Sequence, residues 1–164
     1  MSYSYDFAGN LLTETYPSGR VVRNSFDGAG KLSAVSSRVA TKPFKPYAQN
    51  FTYTAHGAVK QVQLGNMRWE STEFNARLQP TQIALGTTPQ GTDLLKLNYS
   101  YGMTNNNGNV QSQTITVPGM SPLTQTYVYD ALNRLWVAGE TGGPDPWQQY
   151  FRYDRYGNRN FIAE

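Results

Sequence analysis

One histidine, His56, and eleven Asp and Glu side chains are the groups here that could move a proton or hold a metal. His56 sits in the turn-like triplet Ala55-His56-Gly57. A Ser-His-Asp arrangement needs a nucleophile and an orienting carboxylate gathered around the ring. No pattern in the chain places either there, so His56 reads as a solvated turn residue. Asp6, Asp27, Asp130 and Asp154 share a different property, which is that each follows an aromatic residue: Tyr5, Phe26, Tyr129 and Tyr153. Catalysis needs one constellation and not four equivalents, and carboxylates for glycoside hydrolysis must face each other across a cleft. Stacked copies could form an oxygen ladder for Ca²⁺, but capping of turn amides is the simpler role. With no cysteine, thiolate metal sites and disulfides are excluded. Neither a phosphate-cradling Gly-x-x-x-x-Gly-Lys run nor a His/Cys zinc spacing occurs. The expectation is no catalytic residue, no metal, no cofactor and no enzymatic activity.

The remaining groups with chemistry are aromatic or basic. Trp69, Trp136 and Trp147 could stack on sugar rings, which gives carbohydrate binding as the alternative function. Packing against neighbouring turns is the simpler use of them. Trp136 directly follows Leu135, so strand alternation sends the two to opposite sides. Residues 20–68 hold eight basic side chains against one acid, Asp27, while the remainder holds six basic and ten acidic. Arg20, Arg23, Lys31 and Arg38 near Tyr16 and Phe26 could suggest a nucleic-acid surface. The aromatics alternate as packed residues do and the basic residues are dispersed, so no nucleic-acid partner is expected.

What must position these groups is a repeat. The clearest copies read Tyr5-Asp6-Phe7-Ala8-Gly9-Asn10-Leu11, Phe26-Asp27-Gly28-Ala29-Gly30-Lys31-Leu32, Tyr129-Asp130-Ala131-Leu132-Asn133-Arg134-Leu135 and Tyr153-Asp154-Arg155-Tyr156-Gly157-Asn158-Arg159. Weaker copies begin at Tyr53, with Gly57, and at Tyr101, leading to Gly108-Asn109-Val110. A seventh lies at Phe74-Asn75-Ala76-Arg77-Leu78. Matching its Arg77-Leu78 to Arg134-Leu135 puts Thr72-Glu73 in the Tyr-Asp place and shifts Phe74. Successive aromatic starts lie 21, 27, 21, 27, 28 and 24 residues apart.

Residues before each turn alternate, as in Leu95-Lys96-Leu97-Asn98-Tyr99-Ser100-Tyr101 and Thr126-Tyr127-Val128-Tyr129. Period-two alternation with aromatic and β-branched residues is a strand with one packed face. Tyr5, Phe26, Tyr53, Tyr101, Tyr129 and Tyr153 are therefore the expected repeat core. In the turns, Gly9, Gly30, Gly57, Gly108 and Gly157 are expected at positive φ, with Asn133 in the same place. The fold class is all-β: an antiparallel meander of consecutive hairpins over residues 1–164, one open repeat domain. Irregular insertions are expected at about 36–50 and 86–93. The two terminal strands would carry unpaired edges, joined by further repeats or by a second copy.

Composition agrees. The aromatic fraction is 13% and only 15% of residues are charged, unlike a disordered chain. Residues 1–30 show no basic start followed by an apolar run, so no signal peptide is visible. No apolar stretch approaches the ~18 residues of a membrane-spanning helix.

Tyr-Asp-x-x-Gly/Asn-Arg/Asn-Leu at these intervals resembles the Rhs, or YD-repeat, family. The likeness covers nearly the whole chain, with 36–50 and 86–93 outside it. The resemblance implies a long β-ribbon that spirals into a hollow shell. In bacterial polymorphic toxins and insecticidal toxin complexes such a shell encloses a toxic C-terminal effector; in teneurins a related shell serves adhesion outside the cell. It therefore implies a structural role, a secreted or cell-surface bacterial parent protein, and partners in the form of further YD repeats and an enclosed effector. Pro144-Asp145-Pro146 lacks the surroundings of the family's self-cleaving motif, so no self-cleavage is assigned. Seven hairpins are too few to close a cavity, so the chain reads as a fragment or a small stand-alone member.

Overall fold

A computed structural model describes residues 1–162. Its regular elements are all strands: β1 (Ser2–Tyr5), β2 (Leu11–Thr15), β3 (Arg20–Phe26), β4 (Leu32–Val39), β5 (Lys45–Tyr53), β6 (Val59–Leu64), β7 (Trp69–Phe74), β8 (Pro80–Gly86), β9 (Leu95–Ser100), β10 (Ser112–Thr116), β11 (Leu123–Tyr129), β12 (Leu135–Thr141), β13 (Trp147–Tyr153) and β14 (Arg159–Ile162). They form one open antiparallel sheet in chain order, as the alternation predicts. No helix occurs among the described residues. The chain divides into two compact units. The first is Met1–Thr72 with Leu85–Gly91, and the second is Glu73–Ala84 with Thr92–Glu164.

In the first unit, β1 to β6 pair with their sequence neighbours, and three hairpins share an irregularity beside the motif aromatic. Ser4 pairs with Thr13 and Tyr5 with Leu11; Ser25 with Ala34 and Phe26 with Leu32; Thr52 with Gln61 and Tyr53 with Val59. One extra residue, Leu12, Ser33 or Lys60, is thus inserted on the strand after each turn. In the second unit β11 and β12 repeat the device, where Val128 pairs with Val137 and Tyr129 with Leu135, leaving Trp136 as the extra residue. A bulge bends its strand and increases the local twist. It also suspends the alternation that would place Trp136 and Leu135 on opposite faces.

The stretch 36–50 is more regular than its prolines suggest. β4 runs to Val39 and β5 begins at Lys45, leaving only 40–44 outside strands. Val35 pairs with Ala48 and Ser36 with Pro46, so Tyr47 is an inserted residue and Pro46 stands at a bulge. A bulge is a place where a missing N–H breaks no ladder. Residues 87–94, by contrast, lie outside strands.

Burial is thin. The chain exposes 10896 Å², against about 8,100 Å² for a compact monomer of its mass. Among the described residues no large side chain is fully buried. Buried positions are polar nearly as often as apolar: Val62, Ala84, Tyr101, Val137, Ala138 and Phe151 beside Ser37, Gln61, Gln63 and Ser71. The buried amide of Gln63 accepts from Gln49 at 3.0 Å and Asn50 at 2.8 Å, so its oxygen is satisfied.

Candidate functional site

The most repeated local structure is the turn after each motif aromatic. In the first copy the Asp6 amide donates to the Asn10 carbonyl at 3.0 Å, and the Gly9 amide donates to the Asp6 carbonyl at 3.1 Å. One carboxylate oxygen of Asp6 accepts from the amides of Ala8 (2.9 Å) and Asn10 (2.8 Å). Asp27 accepts from Ala29 and Lys31, Asp130 from Leu132 and Arg134, and Asp154 from Tyr156 and Asn158, all between 2.8 and 3.0 Å. In each of the four turns, two amides that the bend would leave to solvent are collected on one carboxylate oxygen. The second oxygen takes a side chain: Asn10 on Asp6, Asn158 on Asp154, and the Arg134 guanidinium on Asp130 in an ion pair at 2.6 Å. Hydrogen bonding from Asn10 holds the Asp6 carboxyl below its ordinary range. Arg134 does the same for Asp130, and Asn158 for Asp154.

Two further turns have the same plan without Asp. Thr54 accepts the Ala58 amide at 3.1 Å, and Asn75 accepts the amides of Arg77 (2.9 Å) and Gln79 (3.1 Å). This fixes the alignment of the seventh copy: Phe74 takes the aromatic place, Asn75 the Asp place and Leu78 the Gly place. The match of Arg77-Leu78 to Arg134-Leu135 therefore does not hold in the structure. The left-handed corner is Gly9, Gly30, Gly57 and Gly157 (φ 75 to 91°), Asn133 (59°) and, unexpectedly, Leu78 (64°). Gly108 is at φ 99° but in a longer loop. There Asn106 accepts its amide and exchanges two amide hydrogen bonds with Gln79, while Asn107 and Asn109 both donate to Asn133. Arg77 also donates to the Asn106 carbonyl.

The motif tyrosines reach backwards. Tyr53, Tyr101, Tyr129 and Tyr153 donate their hydroxyls to the carbonyls of Leu32 (2.6 Å), Pro80, Val110 and Leu135 (2.9 Å each). Each acceptor is the residue that leaves the turn or loop of the preceding repeat. Burial raises the phenols of Tyr53, Tyr101 and Tyr129, which keeps them protonated donors. The basic residue just before two of the acceptors covers the same ring: Lys31 stands 5.0 Å from the Tyr53 centroid and the Arg134 guanidinium 4.4 Å from that of Tyr153. Tyr101 is buried, Phe26, Tyr53, Tyr129 and Tyr153 are half-buried, and Tyr5 on β1 is 59% exposed. Phe26 has no hydroxyl. Asn24, two residues earlier, donates to the Leu11 carbonyl at 2.9 Å instead. The sequence reading missed Asn24, although a Phe in a Tyr position was its signal.

His56 is exposed in the β5–β6 turn. Trp69 is half-buried opposite Gln63 in the first unit. In the second, Trp136 occupies its bulge at 50% exposure, and Trp147 lies opposite Glu140 at 42%. Among the described residues no group of three or more His, Asp and Glu could hold a metal ion. A depression of ≈ 650 Å³ beside the 102–107 loop is lined by Arg77, Gly102, Met103, Thr104 and three asparagines, with neither a carboxylate nor a histidine.

No protein-family model and no curated protein matches the chain. Solved structures do. The Tc holotoxin pore of Photorhabdus luminescens, with a mutated TccC3, matches at a TM-score of 0.67 and 18% identity over 97% of this chain. TcdB2-TccC3 matches at 0.69 and 17%, and TcdB2-TccC3 without its hypervariable C-terminal region at 0.66 and 18%, each again over 97% of this chain. The chain spans 10% of the length of those chains. The likeness shows a shared fold, and that fold is consistent with a YD-repeat chain.

Proposed function

We propose that this chain is a non-catalytic segment of a YD-repeat wall. Its parent would be a secreted or cell-surface bacterial protein of the polymorphic-toxin kind, and the wall would enclose a C-terminal effector. The observation that carries this reading is the backward hydrogen bond of the motif tyrosine. Tyr53, Tyr101, Tyr129 and Tyr153 each hold a carbonyl of the preceding repeat, and Asn24 does so for the Phe26 copy, so these repeated groups serve continuity of the sheet. A single-layer sheet with so little burial gains stability from more of the same structure. The partners are further YD repeats, or a second copy, added at the free edges of β1 and β14. The four residues of β1 are all exposed.

Sedimentation velocity across a concentration series tests the edge reading. Association that rises with concentration, and that Tyr3→Pro or Phe161→Pro abolishes, is expected because proline removes a ladder donor. A strict monomer at all concentrations would count against edge pairing. A carbohydrate-binding module remains the alternative, resting on the exposure of Trp136 and Trp147. Titration with neutral polysaccharides while following tryptophan emission separates the two, since a saturable shift would favour the module.

A further inference from the structure

Two arginines of the first unit, Arg23 on β3 and Arg38 on β4, meet at Phe44 of the 40–44 connection. The guanidinium of Arg23 stands 4.1 Å from the Phe44 centroid and that of Arg38 4.8 Å from it, so one ring holds two cations. Arg23 and Arg38 lie diagonally on one face of the β3–β4 pair, since Arg23 pairs with Ser36 and Arg38 with Val21. Both are exposed. Register extends this face across Thr13 and Thr15 on β2, Ser25 and Ser36, with only Val21 and Ala34 apolar among these strand positions and no carboxylate in it. Two like charges held at one ring, on a face without acids, repel each other, and an anion would relieve that repulsion.

We infer that this face binds a linear sulfated polysaccharide. A guanidinium over a ring is fixed in place while the N–H groups of its rim stay free to donate, a fork that suits sulfate oxygens. The surrounding hydroxyls add neutral donors. Other polyanions fit less well. Single-stranded nucleic acid needs open rings on which bases stack, and the Phe44 ring is occupied by the two guanidiniums. An anionic membrane needs apolar side chains to insert, and the neighbours of Arg23 and Arg38 are mostly hydroxyl-bearing. This site involves none of the three tryptophans and does not depend on the wall reading.

The test uses heparin as the probe in titration calorimetry at near-physiological salt. The charge-conserving double variant Arg23→Lys/Arg38→Lys should bind at least about tenfold more weakly, because lysine keeps the charge and loses the fork. Lys60→Ala/Arg68→Ala removes two charges elsewhere in the unit and should stay within about twofold. Should the arginine variants fail to fold, the unaltered protein still decides the matter: heparin should shift the Nε–Hε resonances of Arg23 and Arg38 before those of other arginines. Undiminished binding by the lysine variant, equal loss in the Lys60/Arg68 control, or unshifted Arg23 and Arg38 resonances would overturn the inference. So would binding of a 20-base-pair duplex (about two turns of B-DNA), or of phosphatidylserine vesicles, as tight as that of heparin.

Discussion

If the tyrosine hydroxyl and Asn24 do the same work, they should substitute for each other. Asn24→Ala removes the 2.9 Å hydrogen bond to the Leu11 carbonyl. A neutral bond of this kind contributes ~1 kcal/mol net. Because Leu11 and Asn24 are half-buried, water recovers part of what the carbonyl loses, so the total cost is about 1–1.5 kcal/mol. For a unit of this size the urea m-value is about 1–2 kcal/mol/M, which lowers the midpoint by about 0.5–1.5 M. Phe26→Tyr then supplies the missing donor from the ring position used by Tyr53, Tyr101, Tyr129 and Tyr153. In the Asn24→Ala background it should restore ~1 kcal/mol, and in the parent, where the acceptor is taken, much less. Urea titration gives the midpoints, and amide exchange in β2 and β3 localises the effect to the first unit. Equal effects of Phe26→Tyr in both backgrounds, a coupling below about 0.3 kcal/mol, would refute the substitution.

Other consequences follow from the same geometry. Leu78 holds a left-handed backbone at φ 64° and its side chain is 55% exposed, so Leu78→Gly sheds strain at little cost in packing; a rise of ~1 kcal/mol in stability is expected by thermal melting. Asp6, Asp130 and Asp154 have folded pKa values depressed below the unfolded carboxylate value. Their stabilisation is therefore present above the unfolded value and lost as pH falls through the folded ones. Asp154→Asn, which keeps the acceptor oxygen as Asn75 does, should flatten that acid dependence at the β13–β14 turn as followed by amide exchange. Arg134→Lys keeps a charge for Asp130 but gives up the planar group over Tyr153. A loss of about 0.5–1 kcal/mol is expected in urea titration, smaller in a Tyr153→Leu background.

The strands were legible because period two is a direct image of the pleat, and the turns because few residues tolerate positive φ. What escaped depends on atoms and not on residue class. The Phe74 copy was misaligned by its Arg-Leu pair, yet the turn is set by an oxygen on Cγ, which Asn75 supplies as well as Asp does. The 36–50 stretch looked broken because Pro46 cannot donate, but the bulge at Tyr47 removes the need for that donor. The bulges opposite Tyr5, Phe26, Tyr53 and Tyr129 leave no mark in composition, since Leu12, Ser33, Lys60 and Trp136 have nothing in common.

These atoms also explain why the motif is a unit of sequence but not of stability. Asp and the left-handed corner act within their own turn, over four residues. The tyrosine and the basic residue act between repeats: Tyr53 on the carbonyl of Leu32, 21 residues away, with Lys31 on the Tyr53 ring. A lone hairpin thus holds its turn contacts and loses its hydroxyl partner and its cation, worth ~1 kcal/mol each at most. Hairpins of this size are marginal in water, so the interior copies owe their stability to their neighbours. Cutting the run inside a repeat should therefore destabilise the hairpins on both sides of the cut, whereas an array of independent hairpins would show no such spread. Amide exchange on a chain nicked in the 87–94 stretch, followed along β5–β6 and β11–β12, distinguishes the two: a loss of protection that is greatest beside the cut and fades with distance from it supports the interlocked array, and unchanged protection everywhere refutes it.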